Sequence, residues 1–241
     1  MSTLTSRGTL APVLALCRAS NLPTVWSNVA AAAVLSGALG GSTVLLALAL
    51  SCFYCGGMAL NDLFDLDHDS VHQRYRPIPA GRITPARARA VMLALFALAF
   101  VCLSVAPHRE GLAAGALLLA VIALYDRFHK GHPSMVLAMA AARVLVYAVT
   151  AFALAGTVAA TVWLAGAVQG AYVLVLTFVA RRESSAPGGR YAWPVIPWML
   201  AAIPLCDGLV LTVLASNPAW LLAGLAGAAL TRAGQRYVRG D

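Results

Sequence analysis

Runs of apolar residues about as long as a bilayer crossing recur along this chain, and they restrict its fold more than any other feature. A membrane-spanning helix needs about 20 predominantly apolar residues, and in hydrocarbon its backbone groups must be satisfied within the segment. Eight such runs lie near 22–39, 43–60, 87–106, 110–126, 134–155, 158–179, 193–214 and 217–232. Only 11% of the 241 residues are charged, against about a quarter in a soluble domain. The expectation is an all-α fold, a polytopic membrane bundle of about eight transmembrane helices, with 1–241 as a single domain.

The formal charge of +8 would suit a nucleic-acid partner, but its distribution argues against one. Let the N-terminus be cytoplasmic and let eight helices alternate. Every Lys and Arg then faces the cytoplasm except Arg109, which falls outside, and Arg143, which lies within a span. That is the positive-inside pattern of an integral protein of the cell (inner) membrane. Both termini and the acidic loop are expected to be cytoplasmic, with the basic surplus facing anionic lipid. Nothing at the N-terminus reads as a cleaved signal peptide. The piece Leu10–Leu16 either lies in the interface or lengthens the first helix. Cys52 and Cys55 form a C-x-x-C inside an apolar run, where they read as small packing residues rather than a redox pair. The cytoplasmic connections, roughly 61–86, 127–133 and 180–192, hold nearly all the polar chemistry, and the run 184–189 reads as mobile.

One of these connections is anomalous. The nine residues Asn61 to Asp69 hold four of the nine acidic side chains in the chain. If the second helix continues through them, Asn61, Asp62, Asp65 and Asp69 share one face and Asp67 points away. Carboxylates gathered on one face repel, and a bound cation removes that cost. Hard oxygen ligands without cysteine favour Mg²⁺, which takes further ligands from substrate phosphates. Arg74, Arg76 and Arg82 follow closely, with Pro77, Pro79 and Gly81 shaping the segment. Arginine suits phosphate oxygens, so carboxylates, metal and arginines together describe a diphosphate site. A rival Zn²⁺ site could be drawn from His68, His72, His129 and His132, although no supporting residues are visible for it.

The pattern Asn61-Asp62-x-x-Asp65-x-x-x-Asp69, followed by Arg74-x-Arg76-Pro77-Ile78-Pro79-x-Gly81-Arg82, resembles the signature of the UbiA superfamily of intramembrane prenyltransferases. Asn21 matches a polar position of that family's first span. Tyr125-Asp126-x-x-x-Lys130 resembles its second cytoplasmic motif. The run Cys17 to Trp26 and the Met139-x-x-x-Arg143 pattern look most like the EboC-type branch. The resemblance implies a bundle around a central cavity open to lipid, holding a polyprenyl diphosphate. It implies Mg²⁺ on Asp62, Asp65 and Asp69 with Asn61 assisting, and diphosphate on Arg76, Arg82 and Lys130. Asn21 and Arg143 join the substrate-binding set. Asp62, Asp65, Asp126 and Lys130 are the catalytic candidates.

One departure bears on activity. Where the family carries a second aspartate-rich motif, this chain reads Phe178-Val179-Ala180-Arg181-Arg182-Glu183. Either Asp126 with Glu183 supplies a reduced second metal site, or Arg181 and Arg182 replace the metal as counter-charges. Two functions follow: a Mg²⁺-dependent transferase moving an isoprenyl group to an acceptor, or a non-catalytic, transport-associated protein that binds a lipid diphosphate. Arg143 and Asp207 are costly in lipid and should face the cavity, paired with each other or with Arg143 reaching Asp126.

Overall fold

In the computed structural model, which describes residues 10–183 and 191–240, the apolar runs form helices and no strand occurs among the described residues. The run 184–189, Arg7 and Arg190 lie outside that range. The helices are α1 (Leu10–Leu16), a 3-10 turn (Ala19–Asn21), α2 (Leu22–Leu35), α3 (Gly41–Phe64), α4 (Leu66–His72), α5 (Pro85–Ser104) and α6 (Glu110–Phe128). They continue as α7 (Met135–Ala155), α8 (Ala160–Glu183), α9 (Val195–Ala201), α10 (Ile203–Leu214) and α11 (Ala219–Gly234).

Six helical segments among the described residues are long and apolar enough to cross a membrane: α3, α5, α6, α7, α8 and the 20-residue stretch Val195–Leu214 that joins α9 to α10. The interruption in that last stretch falls at Ala202, just before Pro204, which cannot donate to the helix ladder. The expected first and last spans are shorter. α2 has 14 residues and α11 has 16, or about 21 and 24 Å of helix at 1.5 Å per residue. The expected run 22–39 loses its end because Gly37 turns the chain in the left-handed region, φ 64°. Its start at Leu22 is as expected, and a break at Arg18 makes Leu10–Leu16 a separate helix rather than a straight extension of α2.

Despite its length α2 is central. It packs against α3, α7, α8, α10 and α11, and Val29 and Ala31 to Ala33 are fully buried. The tightest pairs in the bundle are α3 with α5, α6 with α7, α7 with α8, and α10 with α11. Small residues permit this closeness, as expected between helices in lipid. A methyl group on Gly208 would lie 2.7 Å from the Trp220 carbonyl oxygen and 2.9 Å from Gly224 Cα. Large apolar side chains such as Val44, Leu93, Val101 and Val213 point outward, as lipid-facing positions do.

The α10–α11 contact gives a direct test. Gly208→Leu must push two backbones apart, and overpacking of this kind typically costs about 1–3 kcal/mol. The variant should melt at a lower temperature in detergent than the wild type, whereas the same change at Gly41, which has open space around it, should have a small effect.

Candidate active site

The acidic run folds as its spacing requires. The helix bends at Asp65, between α3 and α4, yet the i to i−4 hydrogen bonds continue through the bend. Asp65 N donates to Asn61 O at 2.9 Å, and Asp69 N donates to Asp65 O at 2.8 Å. Asn61, Asp62, Asp65 and Asp69 therefore stay on one buried face, while Asp67 is exposed. Opposite them the segment after α4 is pinned by Ile78 and Ile83, which pack with Leu16, Ala59 and Ala88. Gly81, at φ 67°, completes the turn that brings Arg82 N and Ile83 N back to Pro77 O. This places Arg76 over the acidic face.

Arg76 is the hub. Its Nη1 donates to Asp69 Oδ2 at 2.7 Å and to Asp62 Oδ1 at 3.2 Å, and lies 3.9 Å from Asp65 Oδ2. Arg18 reaches the same Asp62 oxygen at 3.1 Å, and its other nitrogen donates to the Met58 sulfur. Asp65 turns the other way, toward the loop after α6. Lys130 Nζ lies 2.8 Å from its Oδ1 and His129 Nε2 3.4 Å from its Oδ2. Burial pushes the Asp65 carboxyl up, but hydrogen bonds from His129 and Lys130 outweigh it and hold the group below its ordinary range. His129 is raised, first by its bond to Asp65, against the opposing effect of burial. Asp126, from the last turn of α6, accepts from Asn61 Nδ2 at 3.2 Å.

Below this cluster lies a cavity of about 340 Å³. Its polar end is formed by Arg18, Asn21, Asn61, Arg76, Tyr125 and Asp126, and the rest of its wall is mostly apolar, including Leu50, Phe53, Leu118, Ile122, Val146 and Val173. Asn21 donates to Tyr54 Oη at 3.3 Å and to the Gly240 carbonyl at 2.8 Å. Arg143 lines the same cavity. It contacts neither Asp207 nor Asp126 directly. Its Nη1 donates to Asn28 Oδ1 at 2.8 Å, Asn28 Nδ2 donates to Asp207 Oδ2 at 2.7 Å, and Tyr147 Oη donates to Asp207 Oδ1. This network ties α2, α7 and α10 together.

Several expectations change. Arg82 does not line the cavity. It donates to the Tyr75 carbonyl at 2.8 Å and faces a second, outer cavity. Asp126 and Glu183 are not brought together, because Glu183 accepts from Tyr191 N at 3.2 Å while Asp126 is held by Asn61. Arg181 donates to Pro133 O at 3.0 Å. The rival histidine site is not assembled: His68 and His72 stack at 4.3 Å, His129 goes to Asp65, and His132 stands against Phe128. Arg18 was read only as a topology signal, yet it contacts Asp62. A charged residue at the edge of an interrupted apolar run was the signal available.

No three His, Cys, Asp or Glu groups among the described residues are arranged to share a metal ion, because cations already engage the carboxylates. The residues nevertheless fit Mg²⁺. All the candidate donors are hard oxygens. Asp69 Oδ1 and Asp126 Oδ2 are buried with no hydrogen-bond partner, which is costly unless something else satisfies them.

Comparison with known proteins now decides the family. The UbiA prenyltransferase family matches residues 20–241. The chain belongs to the UbiA prenyltransferase family. Among curated relatives, the digeranylgeranylglyceryl phosphate synthase of Methanopyrus kandleri is 35% identical over 121 residues, 50% of this chain and 44% of that protein. The enzyme of the same name from Ignicoccus hospitalis is 38% identical over 91 residues, 38% of this chain and 30% of that protein. Protoheme IX farnesyltransferase of Synechococcus elongatus is 37% identical over 98 residues, 36% of this chain and 30% of that protein. The matched segments thus span less than half of these relatives. Among solved UbiA-family structures, a homologue from Archaeoglobus fulgidus bound to GPP and Mg²⁺ superposes with a TM-score of 0.61 at 15% identity, covering 94% of this chain and 99% of that one. A structure described for digeranylgeranylglyceryl phosphate synthase in membranes superposes with a TM-score of 0.63 at 14% identity, covering 95% of each chain. At those identities the superpositions show a shared fold.

The Arg76 hub predicts an asymmetry in stability. Arg76→Gln alone strands the buried carboxylate of Asp69, while Asp62 keeps Arg18, and breaking a buried pair typically costs about 3–5 kcal/mol. Adding Asp69→Asn should restore part of the loss, read as a melting temperature in detergent closer to wild type than that of Arg76→Gln.

Proposed function

We propose that this chain is a Mg²⁺-dependent intramembrane prenyltransferase that moves an isoprenyl group from a polyprenyl diphosphate, dissolved in membrane lipid, to an acceptor. The observation that carries this reading is one cavity with two chemistries: a polar end under Arg18, Arg76, Asn61 and Asp126, and an apolar wall below it. A prenyl diphosphate has the same two parts. The names of the curated relatives support transfer of a prenyl group.

In this reading the prenyl tail lies among Leu50, Phe53, Leu118, Ile122 and Val173, where its burial is favourable. The diphosphate lies at the polar end, within reach of Arg18, Arg76 and Lys130. Asn61, Asp62, Asp65 and Asp69 would hold Mg²⁺, and when bound the metal would stabilise negative charge on the departing diphosphate. The arginines and Lys130 supply further positive charge to the same oxygens. Their present partners, Asp62, Asp69 and Asp65, keep these cations in place before the ligand arrives. The apolar wall excludes water, which would otherwise capture an allylic cation. Asp126 offers its unpaired Oδ2 at the cavity end, where it can orient the acceptor or join the metal ligands. Asn21 and Arg143 are the cavity's other polar contacts for a substrate. The distribution of basic residues supports a cytoplasmic side for this end of the bundle and for both termini.

The test is release of diphosphate by the purified full chain in nanodiscs, given prenyl diphosphates of graded length, Mg²⁺ and a lipid extract as acceptor pool. Release should require Mg²⁺, and Asp65→Asn should lower it about 10²–10³-fold. Mg²⁺-dependent binding without release would sink transfer and leave a lipid-diphosphate binding protein. Absence of both would sink the site.

A further inference from the structure

The outer cavity, of about 470 Å³, lies on the far side of Arg18 and Arg76 from the prenyl chamber, and these two arginines line both. Its wall holds four arginines, Arg18, Arg76, Arg82 and Arg239, and a single carboxylate, Asp62. Asp62 is already engaged by Arg18 and Arg76. Arg82 and Arg239 have no carboxylate within ion-pairing distance among the described residues. Both gather at Tyr75 instead. Arg82 Nη2 donates to its carbonyl at 2.8 Å, and the Arg239 guanidinium lies 4.7 Å from the centre of its ring. Arg239 reaches this position because the segment after α11 runs back over the bundle end. There the Gly240 carbonyl accepts from Asn21 at 2.8 Å, and Gly234 sits close against Ser20.

Two guanidinia held on one aromatic residue, each with unspent donors and no carboxylate partner among the described residues, leave a gap that an anion fills. Arginine donors match the geometry of phosphate oxygens, and an arginine stacked on a ring keeps its N–H groups free in the ring plane. We propose that Arg82, Arg239 and Tyr75 form a second anion site, for a phosphate or diphosphate group, distinct from the chamber below Arg76. Because Arg18 and Arg76 face both cavities, a diphosphate released in the chamber meets a continuous line of arginines leading outward. That exit role rests on the transfer reading above; the ability to bind the anion does not. The same chemistry would hold the headgroup of an anionic lipid.

The probe is inorganic diphosphate, titrated calorimetrically with EDTA present onto the full chain in nanodiscs of neutral phosphatidylcholine. A saturable site should appear without Mg²⁺. Arg239→Gln and Arg82→Gln should each weaken it about tenfold, the loss of one charge-assisted contact. Arg239→Lys should recover part of the affinity. Arg239→Gln touches no buried carboxylate, so its melting temperature should match wild type and its effect on binding can be read cleanly. A second arm replaces part of the lipid with phosphatidate. Displacement of diphosphate there, with a phosphatidate-dependent rise in melting temperature that Arg239→Gln removes, identifies a lipid headgroup as the occupant. Equal binding in both lipids identifies the free anion. If wild type and Arg239→Gln bind diphosphate equally and respond equally to phosphatidate, the site does not exist. Failure of the transfer assay leaves these measurements unaffected, so the two proposals fall separately.

Discussion

A carboxylate buried at the end of an apolar bundle keeps its charge only where protein groups replace the lost hydration, and this requirement organises the whole acidic end of the molecule. Asp62 and Asp69 are 2% and 1% exposed, and both depend on Arg76. Arg76 in turn depends on the segment around Pro77, whose Ile78 and Ile83 are sealed against α1, α3 and α5. The acidic run and the arginine-proline run are thus one unit in physical terms. Without Arg76, Asp69 would lose its 2.7 Å cation and Asp62 would keep Arg18 alone, and without the acidic face Arg76 would lose its carboxylate partners. The same pairing holds cations and carboxylates side by side at the mouth of the cavity, where a diphosphate and a divalent ion would each find one partner.

The requirement recurs deeper in the bundle with a different answer. Arg143 and Asp207 carry opposite charges in apolar surroundings but are not in contact. Asn28 stands between them, accepting from Arg143 and donating to Asp207, while Tyr147 donates to Asp207 as well. An amide can serve both charges because it has an acceptor and two donors. It also fixes α2 against α7 and α10, which matters for a helix of only 14 residues. One donor of Arg143 is spent on this network, and the guanidinium still borders the cavity.

How much of this the sequence carried depends on distance along the chain. The shared face of Asn61, Asp62, Asp65 and Asp69 was legible because helical spacing is local, and Asp67 fell outside the face for the same reason. The all-helical membrane fold was legible from the apolar runs. The place of Arg82 was not legible: it stands five residues after Pro77 in a basic run, but the Gly81 turn sends it to the outer cavity. Arg18 was underread because its partner Asp62 lies 44 residues away, and nothing local links them. Asn28 carries no local signal, because only the packing of three helices gives it two charged partners. The end of the first span depended on the turn at Gly37, which hydropathy does not register.

The break at Arg18 is itself explained by the site. A non-glycine residue at φ 44° and ψ 50° sits in the left-handed region, at a typical cost of about 1 kcal/mol or more. A continuous helix from Leu10 to Leu35 would avoid that strain but would put Pro23 in its interior, where it removes a hydrogen bond and clashes with the preceding turn. The fold accepts the strain because the break turns Arg18 onto Asp62 and Met58, so that buried charge is matched, and starts α2 with Asn21 and Thr24 facing the cavity. Pro23 fits this arrangement, since the first turn of a helix is where its missing N–H does no harm. Straightening the chain here would remove one of the two arginines on Asp62 and withdraw Asn21 from Tyr54 and Gly240 together. The break at Arg18 thus serves the polar end of the cavity, at a point where Pro23 already disfavours an uninterrupted helix.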